Sequence, residues 1–257
     1  MVLEICVDSV ESALAAARGG AERLELCSDI AAGGISPSAG LIEYVRQRVR
    51  LDLSVLLRPR PGDFVYSDDE FEVLQSDIIQ AKKLGANSVV IGLLDVYGDV
   101  DLERTRELVE LARPLKVAFH RAFDMTRDLF ASLDVLIAAG VDRVLTSGGK
   151  LRAVDGAGVI RLLQEKAQDE IVIMPGGGIT AANLLEIASR TGATEFHAGL
   201  KTRVPSRMQY QKAPIFLGEG SEEDDVRQQE YSRFVVLEED VRGLRKQLAQ
   251  LEMQHQS

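Results

Sequence analysis

The sequence predicts a single (β/α)8 TIM barrel, and three features of it do so. Short runs of β character recur eight times, each is followed by a stretch of helical periodicity, and successive runs begin between about 20 and 36 residues apart. That spacing suits one strand plus its return helix. Eight such units within about 200 residues favour a closed barrel over an open doubly wound sheet, which seldom needs so many regular repeats. A chain of 257 residues, 46% hydrophobic and 27% charged, has the size and composition for one such domain, residues 1–257.

The strands are expected at Leu3–Val7, Arg23–Cys27, Leu53–Arg58, Ser88–Leu93, Lys116–His120, Arg143–Thr146, Ile171–Met174 and Glu195–His197. Helix starts carry chemical marks. Asp8 with Glu11 and Ser67 with Glu70 read as capping boxes, and Ser36-Pro37 as an N-cap before a first-turn proline. Asp101 and Thr180 read as further N-caps, and Gly85, Gly140 and Gly192 as helix ends. The segment 219–225, "EGSEEDD", is expected as a solvated acidic loop. Beyond it Leu237, Val241, Leu244, Leu248 and Leu251 form one apolar stripe, which predicts an amphipathic C-terminal helix over 234–252 packed on the barrel.

Charge and composition exclude several functions. The net charge of −10 repels phosphate backbones, so nucleic acid is not an expected partner. No apolar run approaches the roughly 18 residues needed to span a bilayer, and the first residues, "MVLEICVDSVE", carry acids where a signal peptide carries bases. The expectation is a cytoplasmic protein without a membrane partner. Two cysteines, Cys6 and Cys27, do not make a disulfide framework at this size and need packing or chemistry to explain them.

Strand parity then points inward. Leu3, Ile5 and Val7 share one face of the first strand and Glu4 and Cys6 the other; Leu24 and Leu26 oppose Arg23, Glu25 and Cys27 in the second. The face covered by helices must be apolar, so the polar set points into the barrel. It collects Glu4, Cys6, Arg23, Glu25, Cys27, Arg58, His120, Arg143, Glu195 and His197. Buried charges must pair or meet a ligand. A structural network, Glu4 with Arg23 for instance, is expected in the lower layer. Active sites of this fold gather at the C-terminal strand ends, where His120 and Arg121 of "FHRAFDM" sit.

Two glycine turns, "TSGG" at Thr146–Gly149 and "PGGGI" at Pro175–Ile179, follow the sixth and seventh strands. Either they hold an anion on backbone N–H groups or they are simply tight turns. Ser147, Gly148, Gly176, Gly177, Gly178 and Arg60 are the candidate anion contacts. Arg58 and Arg60 in "RPRPGDF" suit a carboxylate or phosphate, unless the loop merely pairs an arginine with Asp63.

Together "CVDSVESA", "RLELCSD…GGISPS", "RPRPGDFVYSDDE", "FHRAFDM", "RVLTSGG" and "MPGGGI" resemble the CutC copper homeostasis family, from Leu3 to about Tyr231. The resemblance implies a TIM barrel, a cytoplasmic and commonly homo-oligomeric protein, and Cu(I) binding, with Cys6 and Cys27 at the positions of the family's proposed Cu(I) ligands. Pro61 stands where the family usually has glycine, and "FHAGL" departs from its usual pattern after His197.

Two functions follow. One is copper homeostasis with Cu(I) on Cys6 and Cys27, which soft thiolates favour, although free cysteines are also common core residues. The other is an enzyme acting on a small anionic metabolite, phosphorylated or not, at the mouth. Glu25, Arg58, His120, Asp124, Glu195 and His197 are its candidate catalytic residues.

Overall fold

A computed structural model describes residues 1–210, 212 and 230–255, so the acidic segment 219–225 lies outside the described residues. Eight parallel strands form the barrel: β1 Val2–Val7, β2 Arg23–Leu26, β3 Asp52–Leu56, β4 Ser88–Ile91, β5 Lys116–Phe119, β6 Arg143–Thr146, β7 Val172–Pro175 and β8 Glu195–Ala198. Neighbours in sequence are neighbours in the sheet, and β8 returns to pair with β1. A bridge between Gly176 and His197 joins β7 to β8 and closes the ring. All eight strands form where the sequence predicts them, within two residues at either end.

The outer helices are α1 Val10–Gly19, α2 Ala39–Arg48, α3 Asp68–Lys83, α4 Leu102–Ala112, α5 Leu129–Ala139, α6 Ala153–Ala167, α7 Leu184–Thr191 and α8 Glu238–His255. The Ser67–Glu70 capping box is fully formed, Asp101 accepts from Arg104 N, and Gly140 and Gly192 end their helices in the left-handed conformation. Other expected caps move. Ser9 rather than Asp8 caps α1, accepting from the Ser12 N–H, and Ser38 rather than Ser36 caps α2. Asn183 precedes α7 while Thr180 lies in the turn before it. For α1 and α2 a second serine nearby reaches the first-turn N–H groups instead, whereas Asn183 accepts the Thr180 N–H and makes no side-chain cap on α7.

The C-terminal helix also starts later than expected. Ser232–Val235 forms a strand, β10, antiparallel to β9 (Thr202–Pro205), with Phe234 opposite Arg203. Helix α8 then docks between α7 and α1 and fills the eighth helical position of the barrel. Val241, Leu244 and Leu248 are fully buried on its inner face. Close approach to α1 requires Gly19, because a Cβ there would lie 2.6 Å from the Val241 Cβ.

Alternation sorts the side chains as expected. Leu3, Ile5, Val7, Leu24, Leu26, Val55, Val89, Val117, Val144, Ile173 and Phe196 are buried between sheet and helices. At about 25 cal/mol per Å² this apolar layer is the main source of stability. Inside the barrel, charged and sulfur-bearing side chains share the space with a small apolar patch of Leu56, Val90 and Ala118. Among the described residues no helix is long and apolar enough to cross a membrane.

Candidate functional site

The barrel interior has a floor, a middle and a mouth. On the floor Arg23 donates through Nε to Glu4 and through Nη2 to Glu195 Oε2 at 2.6 Å, and Arg143 Nε reaches the same Glu195 oxygen at 2.6 Å. Ser54 Oγ lies 3.4 Å from Glu4 Oε2 and 2.6 Å from Ser88 Oγ. Burial opposes charge on Glu195, but the hydrogen bond and charge of Arg143, with Arg23 beside it, hold its carboxyl below the usual range. Glu195 was expected among the proton carriers. It is instead a structural anion between two arginines, because it begins β8 rather than ending it.

The middle layer gathers three donor types. Cys6 Sγ, one Glu25 carboxylate oxygen and one His197 nitrogen all lie within 4.8 Å of one another. The register pairs Cys6 with Glu25 across β1 and β2, while Cys27 stands one inward position higher. The two sulfurs meet on that diagonal, 3.6 Å apart. His197 is oriented from below: its Nδ1 lies 2.8 Å from Glu4 Oε1, and its Nε2 lies 3.8 Å from Glu25 Oε2.

Electrostatics here are tightly linked. Burial works against the charged His197, but the charge of Glu25 and the hydrogen bonds its ring makes to Cys6 and Glu4 raise its pKa well above the ordinary value. The Cys27 hydrogen bond, burial and Glu25 push the Cys6 thiol up. The Glu25 carboxyl is raised by burial, which His197 partly offsets. A cation that displaced these protons would gain thiolate, imidazole and carboxylate donors together.

At the mouth the expected residues separate. His120 directly follows β5, is 6% exposed and accepts the Ala122 N–H on Nδ1 at 3.0 Å. With Nδ1 accepting, the ring proton sits on Nε2, which is buried without a partner. Burial, reinforced by the positive Arg58 nearby, lowers its pKa to about 3, so the ring is neutral at ordinary pH. The ring lies against Gly92, where a Cβ would come within 2.1 Å of His120 Cε1, and 5.0 Å from the Phe64 ring.

Arg58 is buried, and its Nη atoms hold the loop carbonyls of Ala32, Gly34 and Gly62 at 2.8 to 3.1 Å. Its Nε has no partner. Arg60 leaves the mouth altogether. It ties Asp63 at 3.0 Å and Glu70 at 2.5 Å, so the expected anion contact is an ion pair at the start of α3.

The "TSGG" turn does cradle an anion, and the anion is Asp124. That carboxylate accepts from Thr146 Oγ1 at 2.5 Å, the Ser147 N–H and Oγ at 3.0 Å and the Gly149 N–H at 3.0 Å, and it pairs with Arg121 Nε at 2.8 Å. Gly148 donates to Thr146 Oγ1 and lies so close to α6 that a Cβ would stand 2.6 Å from Gly156 O. Thus Asp124 is held as a staple rather than left free to move protons, and Ser147 and Gly148 have no donor to spare for a ligand. Gly176 donates to Thr146 O. Gly177 and Gly178, both at positive φ, keep N–H groups that donate to nothing among the described residues.

Arg121, placed at the mouth by its sequence but not among the expected anion contacts, reaches over this turn. Its Nη1 has no partner among the described residues and would lie 3.3 Å from a Cβ on Gly177. Phe64 and Lys201 also line the mouth. Both come from loops, where alternation gives no sign of direction.

The sequence profile of the CutC family matches residues 1–202. The chain belongs to the CutC family. A human relative named copper homeostasis protein cutC homolog is 47% identical over 217 residues, covering 84% of this chain and 80% of that protein. The solved structure of CutC from Streptococcus agalactiae is 32% identical, covers 77% of this chain and 97% of its own, and superposes with a TM-score of 0.74. A thiamine phosphate pyrophosphorylase of Pyrococcus furiosus, 16% identical with a TM-score of 0.59, covers 97% of this chain and 96% of its own and shares the fold alone.

Proposed function

We propose that this CutC family member serves copper homeostasis by binding Cu(I) inside its barrel. The observation that carries the reading is the 3.6 Å approach of Cys6 Sγ and Cys27 Sγ, with Glu25 and His197 beside Cys6. Soft thiolates select Cu(I) over harder ions. His197 completes the argument, since a carboxylate on one ring nitrogen is the usual way a metal-binding histidine is oriented. The raised Cys6 thiol means that binding must release protons, so affinity should rise with pH. The relatives' names support the copper role. The reading also includes a cytoplasmic location and a homo-oligomer, the latter tested by light scattering of the purified chain.

The test is a titration of reduced protein with Cu(I) against a competing chelator, alongside the Cys6→Ser/Cys27→Ser double variant. Loss of at least tenfold in affinity is expected. Equal affinity of the two proteins would remove the sulfurs from the site.

A further inference from the structure

Above Cys6, Glu25 and His197, which form its floor, a half-open space of about 150 Å³ is walled by Leu56, Arg58, Phe64, His120, Arg121 and Leu145. Its polar groups are unusual. His120 Nε2 and Arg58 Nε are buried donors without partners, and Arg121 keeps Nη1 free among the described residues. A buried donor left unpaired costs about 1–3 kcal/mol, and one such group in a folded protein asks for an explanation. Both belong to residues that line this space, and a ligand there would explain them.

We propose that this chamber binds a small organic carboxylate of two to four carbons, with an oxygen accepting the His120 Nε2–H and its charge facing Arg58 and Arg121. The size comes from the volume: at about 30 Å³ per water, the space holds roughly five water-sized groups. The sign comes from the walls. Arg58 and Arg121 face the single acid Glu25, although Asp124 partly neutralises Arg121. The hydrocarbon part has Leu56, Phe64 and Leu145 to pack against.

Neutral imidazole suits this task. With His120 held neutral by burial and by Arg58, Nε2–H donates to an acceptor oxygen without bringing a charge of its own. Phosphate fits less well. Where barrels commonly hold it, beside the seventh and eighth loops, the crevice is lined by Glu239 and Asp240. The Asp124 carboxylate fills the neighbouring nest.

The chamber borders the proposed Cu(I) ligands Cys6, Glu25 and His197. The test therefore uses protein stripped of metal and reads His120, which the copper reading does not use, so failure of either reading leaves the other standing. Acetate, glycolate and pyruvate are titrated by thermal melts and calorimetry, with chloride at matched ionic strength and inorganic phosphate as comparisons. At least one carboxylate should stabilise the protein saturably at millimolar concentration. His120→Phe, which keeps a ring against Gly92 but removes the N–H, should weaken that binding at least tenfold. If this variant folds poorly, the wild-type protein still decides. The His120 Nε2–H resonance in imidazole nitrogen NMR should shift on saturation. No effect beyond chloride, a preference for phosphate, or a ligand that leaves that resonance unmoved would each overturn the proposal.

Discussion

Glu4 Oε1 lies 2.8 Å from His197 Nδ1, and this contact ties the floor of the barrel to its middle layer. Glu4 also receives Arg23, so one 2%-exposed carboxylate supports two partners. Burial opposes its charge, but the His197 hydrogen bond and the charges of Arg23, His197 and Arg143 together hold its carboxyl far below the usual range. The same contact fixes which nitrogen His197 turns upward toward Cys6 and Glu25.

Replacing Glu4 by Gln should therefore have two effects. Removing one partner of a buried ion pair typically costs about 3–5 kcal/mol, which denaturant melts will read. The freed imidazole should also bind Cu(I) about 10- to 100-fold more weakly, as when a histidine ligand loses its orienting carboxylate. A variant within about 1 kcal/mol of wild type would mean that Glu4 does not anchor the network.

Acid should destabilise the protein partly through His120. Burial and Arg58 lower its folded pKa from the ordinary 6.5 to about 3, so the unfolded chain takes up the proton first. Stability then falls as the pH drops from 6.5 toward 3, by up to about 1.4 kcal/mol per unit from this group. The raised pKa of His197 acts in the opposite sense and in another window. Its contribution is complete below 6.5 and is lost as pH rises through the folded value. Melts of wild type and His120→Phe between pH 7 and 5 should show a shallower acid slope for the variant. Parallel slopes would count against a buried neutral His120.

Much of this was legible in the sequence, for a physical reason. Alternation at period two says which strand residues face inward, so Glu4, Cys6, Glu25, His197 and the Glu4–Arg23 pair could be placed before any coordinates. Height along the strand was harder. Glu195 and His197 differ by two residues, yet one is floor and the other middle. Loop residues were hardest. "TSGG" and "RPRPGDF" display donors, but only the folded chain reveals that Asp124 and Glu70 already occupy them. An anion-binding pattern does not say whether the anion is a ligand or a side chain.

Gly92→Ala tests the shape of the mouth without touching a polar group. Its Cβ would fall 2.1 Å from His120 Cε1 and 2.4 Å from Nδ1, so the ring must move. Overpacking of this kind costs about 1–3 kcal/mol, and the displaced ring should lose its contact with the Ala122 N–H. Hydrogen exchange at Ala122 should accelerate relative to the fully buried Phe119 on the same segment. Unchanged exchange and stability would mean that the ring has room it is not shown to have.

Asp124 provides the sharpest test of the turn after β6. Its carboxylate accepts from Thr146, Ser147 and Gly149 while pairing with Arg121, so it organises the loop and aims the arginine at once. Asp124→Asn keeps the size but presents an amide NH2 to a nest made of donors, and it removes the charge opposite Arg121. Each donor stranded in this way costs about 1–3 kcal/mol, and at roughly 2–4 °C per kcal/mol for a domain of this size the melting temperature should drop by several degrees. A loss in a purely packing role would be spread over the core. Here the amides of Ser147 and Gly149 should exchange faster while those of β1 keep their protection. If Asp124→Asn melts with the wild type and those two amides stay protected, the carboxylate does not hold the turn, and the nest is open to an external anion after all.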